Sequence, residues 1–123
     1  MAKILVVDDE PDVVTMMEHA LVSEGYEVLP AYDGISALDI AGSERPDLIL
    51  LDIMMPMMSG YEVCEQLKSN PQTQHIPILC VTSAHGIQTR NSAQKAGAQG
   101  ILIKPFMPAE LIAQIQRHLP ESA

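Results

Sequence analysis

The chain has 123 residues, 47% of them hydrophobic and 19% charged, enough apolar material for one core in one domain and too much for a disordered segment. Sixteen acidic against seven basic side chains give a formal charge of −9, which repels nucleic-acid backbones and anionic membrane surfaces and argues against direct DNA binding.

Apolar runs of strand length alternate with segments of helical period, five times over. The first strand is expected at Lys3 to Val7, followed by a helix on Val13, Met16, Met17, Ala20 and Leu21 that stops at Gly25. Strand two is placed at Tyr26 to Pro30, with a short second helix on Ile35 to Ala41. Strand three follows at Asp47 to Leu51, and Tyr61, Cys64 and Leu67 mark a third helix ending before Asn70-Pro71. Strand four takes Ile78 to Thr82. The fourth helix, between Gly86 and Gly97, is mostly Gln, Thr, Asn, Ser and Ala around a single large apolar residue, Ile87, so little burial holds it. Strand five, Gly100 to Ile103, leads to the clearest helix. There Pro108 and Glu110 occupy the first turn, and Leu111, Ile112, Ile115 and Leu119 form one stripe.

Strands one, three and four read as continuous apolar runs, which suits strands covered on both faces. Right-handed crossovers between such strands give a doubly wound parallel α/β sheet with five strands and five helices, comprising residues 1–123 as one domain. The run Ile4 to Val7 is too short for a signal peptide or a membrane span, so a cytoplasmic protein is expected. Cys64 and Cys80 form no CxxC and are expected as small core residues. His19, His75, His85 and His118 share no ligand spacing and are expected as isolated surface or boundary residues.

Ligands of doubly wound sheets sit beyond the carboxyl ends of the strands. Here those ends carry Asp8-Asp9, Asp52, Thr82 and Lys104-Pro105. If strands one and three are neighbours, three carboxylates converge, and an all-oxygen, carboxylate-rich site suits a hard divalent cation such as Mg²⁺. One lysine and one hydroxyl beside it suit a phosphoryl group, whose oxygens an ammonium and a hydroxyl can both contact. Asp52 is then either a nucleophile that forms an acyl phosphate or a third metal ligand only. Taken singly, Asp8, Asp9, Glu10 and Asp12 also suit helix capping, Lys104-Pro105 an ordinary turn, and Thr82 an ordinary strand residue.

The motifs Val6-Val7-Asp8-Asp9-Glu10, Leu51-Asp52 through Ser59-Gly60, Val81-Thr82-Ser83-Ala84 and Ala96-Gly97-Ala98 leading to Ile103-Lys104-Pro105-Phe106 resemble the response-regulator receiver domain of two-component signalling, in order and over essentially the whole chain. The resemblance implies a flavodoxin-like sheet of strand order 2-1-3-4-5. It implies that Asp52 accepts a phosphoryl group from a histidine kinase, a phosphotransfer protein or a small phosphodonor. Mg²⁺ would be held by Asp9, Asp52 and the backbone carbonyl of Met54, with Asp8 assisting through water. Lys104 and Thr82 would contact the phosphoryl oxygens, and the Lys104-Pro105 peptide would be cis.

By the same resemblance, Thr82 and the residue three before the lysine switch the face of helix four, strand five and helix five. That residue is Ile101 where the family usually has an aromatic, so the threonine half of the switch is retained and a β-branched aliphatic that can still change packing stands in the aromatic's place. Met54 and Ala84 occupy the positions at which family members vary, two after the phosphoacceptor and two after the threonine. Their apolar side chains offer an attacking water no hydrogen-bonding partner, so slow self-dephosphorylation is expected of a switch that is not a turnover enzyme. Met54, Met55, Met57 and Met58 around Pro56 are either an adaptable docking rim or packed beneath their loop.

The output is expected through a downstream protein partner or an effector domain outside this chain, and a phosphorylation-dependent homodimer through the switching face is a further expectation. A haloacid-dehalogenase-like phosphatase expects an acid at position 54, where methionine stands. A flavodoxin-like electron carrier expects a phosphate-cradling loop after strand one. A receiver-shaped interaction module that is never phosphorylated is the remaining alternative.

Overall fold

A computed structural model describes residues 1–84 and 86–119; His85, expected as an isolated surface or boundary residue, and residues 120–123 of the expected domain lie outside the described residues. The chain alternates β1 (Lys3–Val7), α1 (Pro11–Ser23), β2 (Glu27–Ala31), α2 (Gly34–Glu44), β3 (Leu48–Asp52), α3 (Gly60–Ser69), β4 (Ile78–Thr82), α4 (Ile87–Ala96), β5 (Gly100–Ile103) and α5 (Pro108–His118). All five strands pair in parallel in the order β2-β1-β3-β4-β5, so the direction of winding reverses between β1 and β3.

Two-residue periodicity divides the core. Ile4 and Val6 of β1, Leu48 and Leu50 of β3, and Leu79 and Val81 of β4 pack with Val14, Met17 and Leu21 of α1 and Leu111 and Ile115 of α5. Leu5, Val7, Ile49, Leu51 and Ile78 face the other way, onto Ala37 and Ala41 of α2 and Val63, Cys64 and Leu67 of α3. β3 and β4 are buried throughout, and β1 is buried after Lys3, as continuous apolar runs require. Both cysteines are buried and unbridged.

Four elements differ in their bounds from the sequence expectation, each for a local reason. β2 begins one residue later because the Tyr26 N–H donates to the Leu21 carbonyl at 3.1 Å and so closes α1. β3 likewise begins after Asp47, whose Oδ2 accepts the Lys3 N–H at 2.8 Å, and it extends to include Asp52. α2 is longer than Ile35 to Ala41: the Asp33 carboxylate accepts the Ser36 N–H at 2.8 Å to start it, and the last turn, Gly42 to Glu44, carries no apolar stripe. α1 starts at Pro11, so Asp12 lies inside its first turn, and Glu10 occupies the N-cap position without a side-chain capping bond.

α3 starts with a capping box in which Ser59 Oγ accepts the Glu62 N–H and Glu62 Oε1 accepts the Ser59 N–H. At Gly60 the backbone passes so close to β3 that a Cβ would collide with the Asp52 carbonyl oxygen and lie 2.7 Å from Ile53 Cα. The loop leaving Asp52 therefore closes tightly on the strand end. α4 is held still more lightly than its composition suggests. Ile87 is 78% exposed, and the helix buries only Ala93 and Ala96.

Candidate phosphoryl-acceptor site

The ends of β1, β3, β4 and β5 meet at one edge of the sheet. Asp8, immediately after β1, is fully buried; its Oδ1 accepts the Glu10 N–H at 2.9 Å, and its Oδ2 accepts from Lys104 Nζ at 2.9 Å. Asp52, the last residue of β3, is 3% exposed, and its Oδ1 lies 3.5 Å from the same Lys104 Nζ. Thr82, the last residue of β4, is buried beside them. Its Oγ1 accepts the Ala84 N–H at 3.1 Å, and its carbonyl accepts the Lys104 N–H at 2.8 Å. The Lys104-Pro105 peptide is cis.

Asp9 is half-buried, and carboxylate oxygens of Asp8, Asp9 and Glu10 lie within 4.8 Å of one another. Glu10 had read only as a capping residue, and the signal that places it here is its position directly after two acids at a strand end. Asp52 does not belong to that tight group; Lys104 connects it to Asp8 instead. Met54 is exposed, and its backbone N–H helps to hold the Asp52 carboxyl down. Ile101 pairs with Cys80 on the β4 side and packs half-buried against Ile53, Cys80 and Ala93, the last of these on α4. Beside it a cleft of about 420 Å³ lies between α4 and α5, with Arg90, Arg117 and His118 on its walls. Of the clustered methionines, Met55 is buried and Met58 half-buried against the core, as packing beneath the loop expects, whereas Met54 and Met57 are exposed.

Burial, followed by the Asp8 charge, pushes the Asp52 carboxyl up from 3.8 to about 6; Lys104 and the Met54 N–H pull the other way, and Asp9 adds a smaller upward push. Burial by itself would lower the Lys104 ammonium, but its hydrogen bond to Asp8 and the charges of Asp52 and Asp8 raise it above its ordinary value. One lysine thus leaves the acids incompletely neutralised. An all-oxygen donor set with surplus negative charge fits a hard divalent cation. Among the described residues no other group of acids, cysteines or histidines is close enough to hold a metal ion.

A doubly wound sheet that presents an acid pair, a strand-end aspartate, a buried threonine and a lysine on one edge is the architecture of a signal receiver. The profile of the response regulator receiver domain matches residues 4–116, and the chain belongs to that family. It is similar to the response regulator PleD of Caulobacter vibrioides, 44% identical over 94% of this chain and 25% of PleD. It is also similar to the response regulator MprA of Mycobacterium bovis, 42% identical over 98% of this chain and 54% of MprA. The chain spans about half or less of the length of these curated relatives. Among solved structures, the chemotaxis protein CheY4 of Vibrio cholerae superposes with a TM-score of 0.93 at 39% identity, covering 97% of this chain and 99% of that one. The receiver domain of the sensor histidine kinase PA1611 of Pseudomonas aeruginosa, described with a magnesium ion coordinated in its active-site cleft, superposes with a TM-score of 0.87 at 34% identity, covering 94% and 95%. Signal reception in two-component systems is therefore the role of this fold. Among the described residues no helix is long and apolar enough to cross a membrane.

Proposed function

We propose that the Asp52 carboxylate accepts a phosphoryl group from a histidine kinase, a phosphotransfer protein or a small phosphodonor. The observation that carries this reading is Lys104 Nζ, set 2.9 Å from Asp8 Oδ2 and 3.5 Å from Asp52 Oδ1, next to the buried Thr82 hydroxyl. An Asp52 oxygen attacks phosphorus as the bond to the donor breaks and its electrons leave with the donor. Lys104 then turns from Asp52 to a phosphoryl oxygen, and the Thr82 hydroxyl, whose oxygen accepts the Ala84 N–H, donates its own proton to another. Asp9, Asp52 and the Met54 backbone carbonyl would hold Mg²⁺, with Asp8 acting through water. The ion supplies charge neutralisation at the crowded acids.

The readout passes through Thr82 and Ile101 to α4, β5 and α5. Ile101 packs against Ala93, and α4 buries only two alanines, so a small change in β5 packing is enough to shift that helix. A downstream protein, an effector domain or a phosphorylation-dependent second copy reads the altered face. In this reading residues 1–123 act as one cytoplasmic receiver unit, and the chain's own chemistry is confined to gaining and slowly losing the Asp52 phosphoryl group.

The test is intact mass after incubation with Mg²⁺ and acetyl phosphate or phosphoramidate. A gain of about 80 Da, one phosphoryl group, is expected in the wild type and not in Asp52→Asn. No gain with any donor, including a panel of autophosphorylated histidine kinases, favours an interaction module that is never phosphorylated.

A further inference from the structure

Positive charge is scarce in this chain, with seven basic side chains against sixteen acidic ones, and it is unevenly spread. Two of the three arginines, Arg90 of α4 and Arg117 of α5, line the cleft of about 420 Å³ between those helices, together with His118. Gln94, Gln99 and Gln114 add amide groups to the same walls, and no aspartate or glutamate is among the described residues that line it. Gln99 Oε1 accepts the Ile78 N–H at 2.8 Å, which leaves the Gln99 NH₂ group to donate. In a protein of formal charge −9, this lining is rich in donors and carries only positive charge.

Local structure keeps the recess open. His118 Nδ1 donates to the Gln114 carbonyl at 2.9 Å, and the ring lies against Gly100 of β5. A Cβ at residue 100 would come within 3.2 Å of His118 Cε1 and 2.9 Å of Leu79 Cδ2, so glycine lets the ring settle there. β5 is an edge strand, and no further strand covers this side. None of the large hydrophobic side chains exposed on the surface, Ile87 of α4 included, lines the cleft, so it lacks the apolar anchors that hold a protein partner. Nor does any aromatic ring line it to stack on a planar base. Arginines grip carboxylate and phosphate groups through parallel N–H donors, and the volume suits a small ligand.

We propose that this cleft binds a small molecule carrying two or more oxyanion groups, carboxylate or phosphate, and that its occupation clamps α4 to α5. One oxyanion pairs with Arg90 and another with Arg117. The ligand thereby joins a helix that buries only Ala93 and Ala96 to one that buries Leu111 and Ile115. Ile101, which packs against Ala93, lines the same cleft. The clamp holds α4 where the unphosphorylated chain places it. Phosphorylation of Asp52, which shifts α4 in the function proposed above, therefore weakens binding, and the anion in turn opposes phosphorylation. Only this coupling rests on that function; the binding does not.

The experiment titrates the unphosphorylated chain by calorimetry with propane-1,2,3-tricarboxylate and with inorganic pyrophosphate, in metal-free buffer of low ionic strength, with acetate as the control of single charge. At least one of the two multivalent probes is expected to bind about tenfold more tightly than acetate or better, and the preferred probe tells a carboxylate ligand from a phosphate one. Arg90→Gln and Arg117→Gln each weaken binding by about tenfold or more, whereas Lys95→Gln, which removes the same charge from α4 outside the cleft, changes it by less than about twofold. Saturation with the probe slows amide exchange over Ile87–Ala96 by at least about fivefold. No binding of either probe, an equal loss in Lys95→Gln and the arginine variants, or unchanged exchange in the saturated chain overturns the proposal. A hexaglutamate peptide that binds where neither small probe does overturns it in favour of an acidic segment of a partner protein. After loading from acetyl phosphate with Mg²⁺ and removal of the donor, the tricarboxylate is expected to bind about threefold more weakly or worse, and an unchanged affinity overturns the coupling. A chain that binds the probes but gains no phosphoryl group contradicts the assignment of Asp52 and leaves the anion site standing.

Discussion

Lys104 Nζ lies 2.9 Å from Asp8 Oδ2, joining the residue after β5 to the residue after β1 across the end of the sheet. The ammonium also lies 3.5 Å from Asp52 Oδ1, so one cation holds two buried carboxylates from different strands in place. Removing it leaves two buried like charges facing each other.

Lys104→Ala is accordingly expected to lower stability at pH 7.5 by about 1–3 kcal/mol, at the low end of what breaking a buried pair costs because the lysine is partly exposed. The loss shrinks at pH 5, where Asp52 takes up a proton and the repulsion falls. Phosphoryl uptake from acetyl phosphate drops at least about tenfold at either pH, because an aimed cation is missing from the charge that develops on the phosphoryl oxygens. Urea titration at both pH values and a phosphorylation time course check this. An equal stability loss at both pH values contradicts it.

Asp52 itself sets a pH dependence of defined sign. Its folded-state pKa, about 6, is above the ordinary 3.8, so the folded chain holds this proton more tightly than the unfolded chain does. The resulting stabilisation is complete below 3.8 and is lost as pH rises through about 6. The difference corresponds to roughly 3 kcal/mol. Asp52→Asn is therefore expected to be more stable than wild type at pH 7.5 in the presence of chelator, with the gap narrowing toward pH 4. Paired urea melts across that range test it, and a gap that widens on acidification would contradict the assignment.

Gly60→Ala tests how closely the loop must approach the strand. A methyl there meets the Asp52 carbonyl oxygen and Ile53 Cα, both backbone, which cannot swing aside as a side-chain tip can. A loss of about 2 kcal/mol or more is expected in chemical denaturation, together with slower phosphoryl uptake as Asp52 is displaced. Ser59→Ala, which removes only the capping hydroxyl of α3, costs about 1 kcal/mol and leaves uptake close to wild type.

Much of this architecture was legible because burial on both faces writes itself as unbroken apolar runs, as in Ile4 to Val7 and Leu48 to Leu51. The errors fell where hydrogen bonds, not hydrophobicity, decide the boundary: Tyr26 turned back onto Leu21, Asp47 onto Lys3, and Asp33 capping α2. The site residues were visible as polar strand ends. The distances between them were not, since Asp8 and Lys104 are separated by 96 positions and only the strand order brings them together. Glu10 escaped for the opposite reason, because an acid ahead of a helix is ordinarily a cap and here its neighbours give it a second context.

The light anchoring of α4 has its own measurable consequence. Ala93 and Ala96 bury far less apolar surface than the Leu111 and Ile115 of α5, and Ile87 contributes almost none. Amide hydrogens over Ile87–Ala96 are expected to exchange at least about tenfold faster than those over Pro108–His118. Native-state hydrogen exchange decides it; equal protection in the two helices contradicts the view of α4 as the easily moved element.

The central claim is that Asp52 is the nucleophile, not merely one acid among several near a cation. The most direct measurement is reduction of the phosphorylated chain with borohydride, which converts an aspartyl phosphate to homoserine, followed by peptide mapping. The account predicts homoserine at position 52 and at no other aspartate. Homoserine at Asp8 or Asp9, or a chain that gains phosphoryl mass but yields no reduced aspartate, would contradict it.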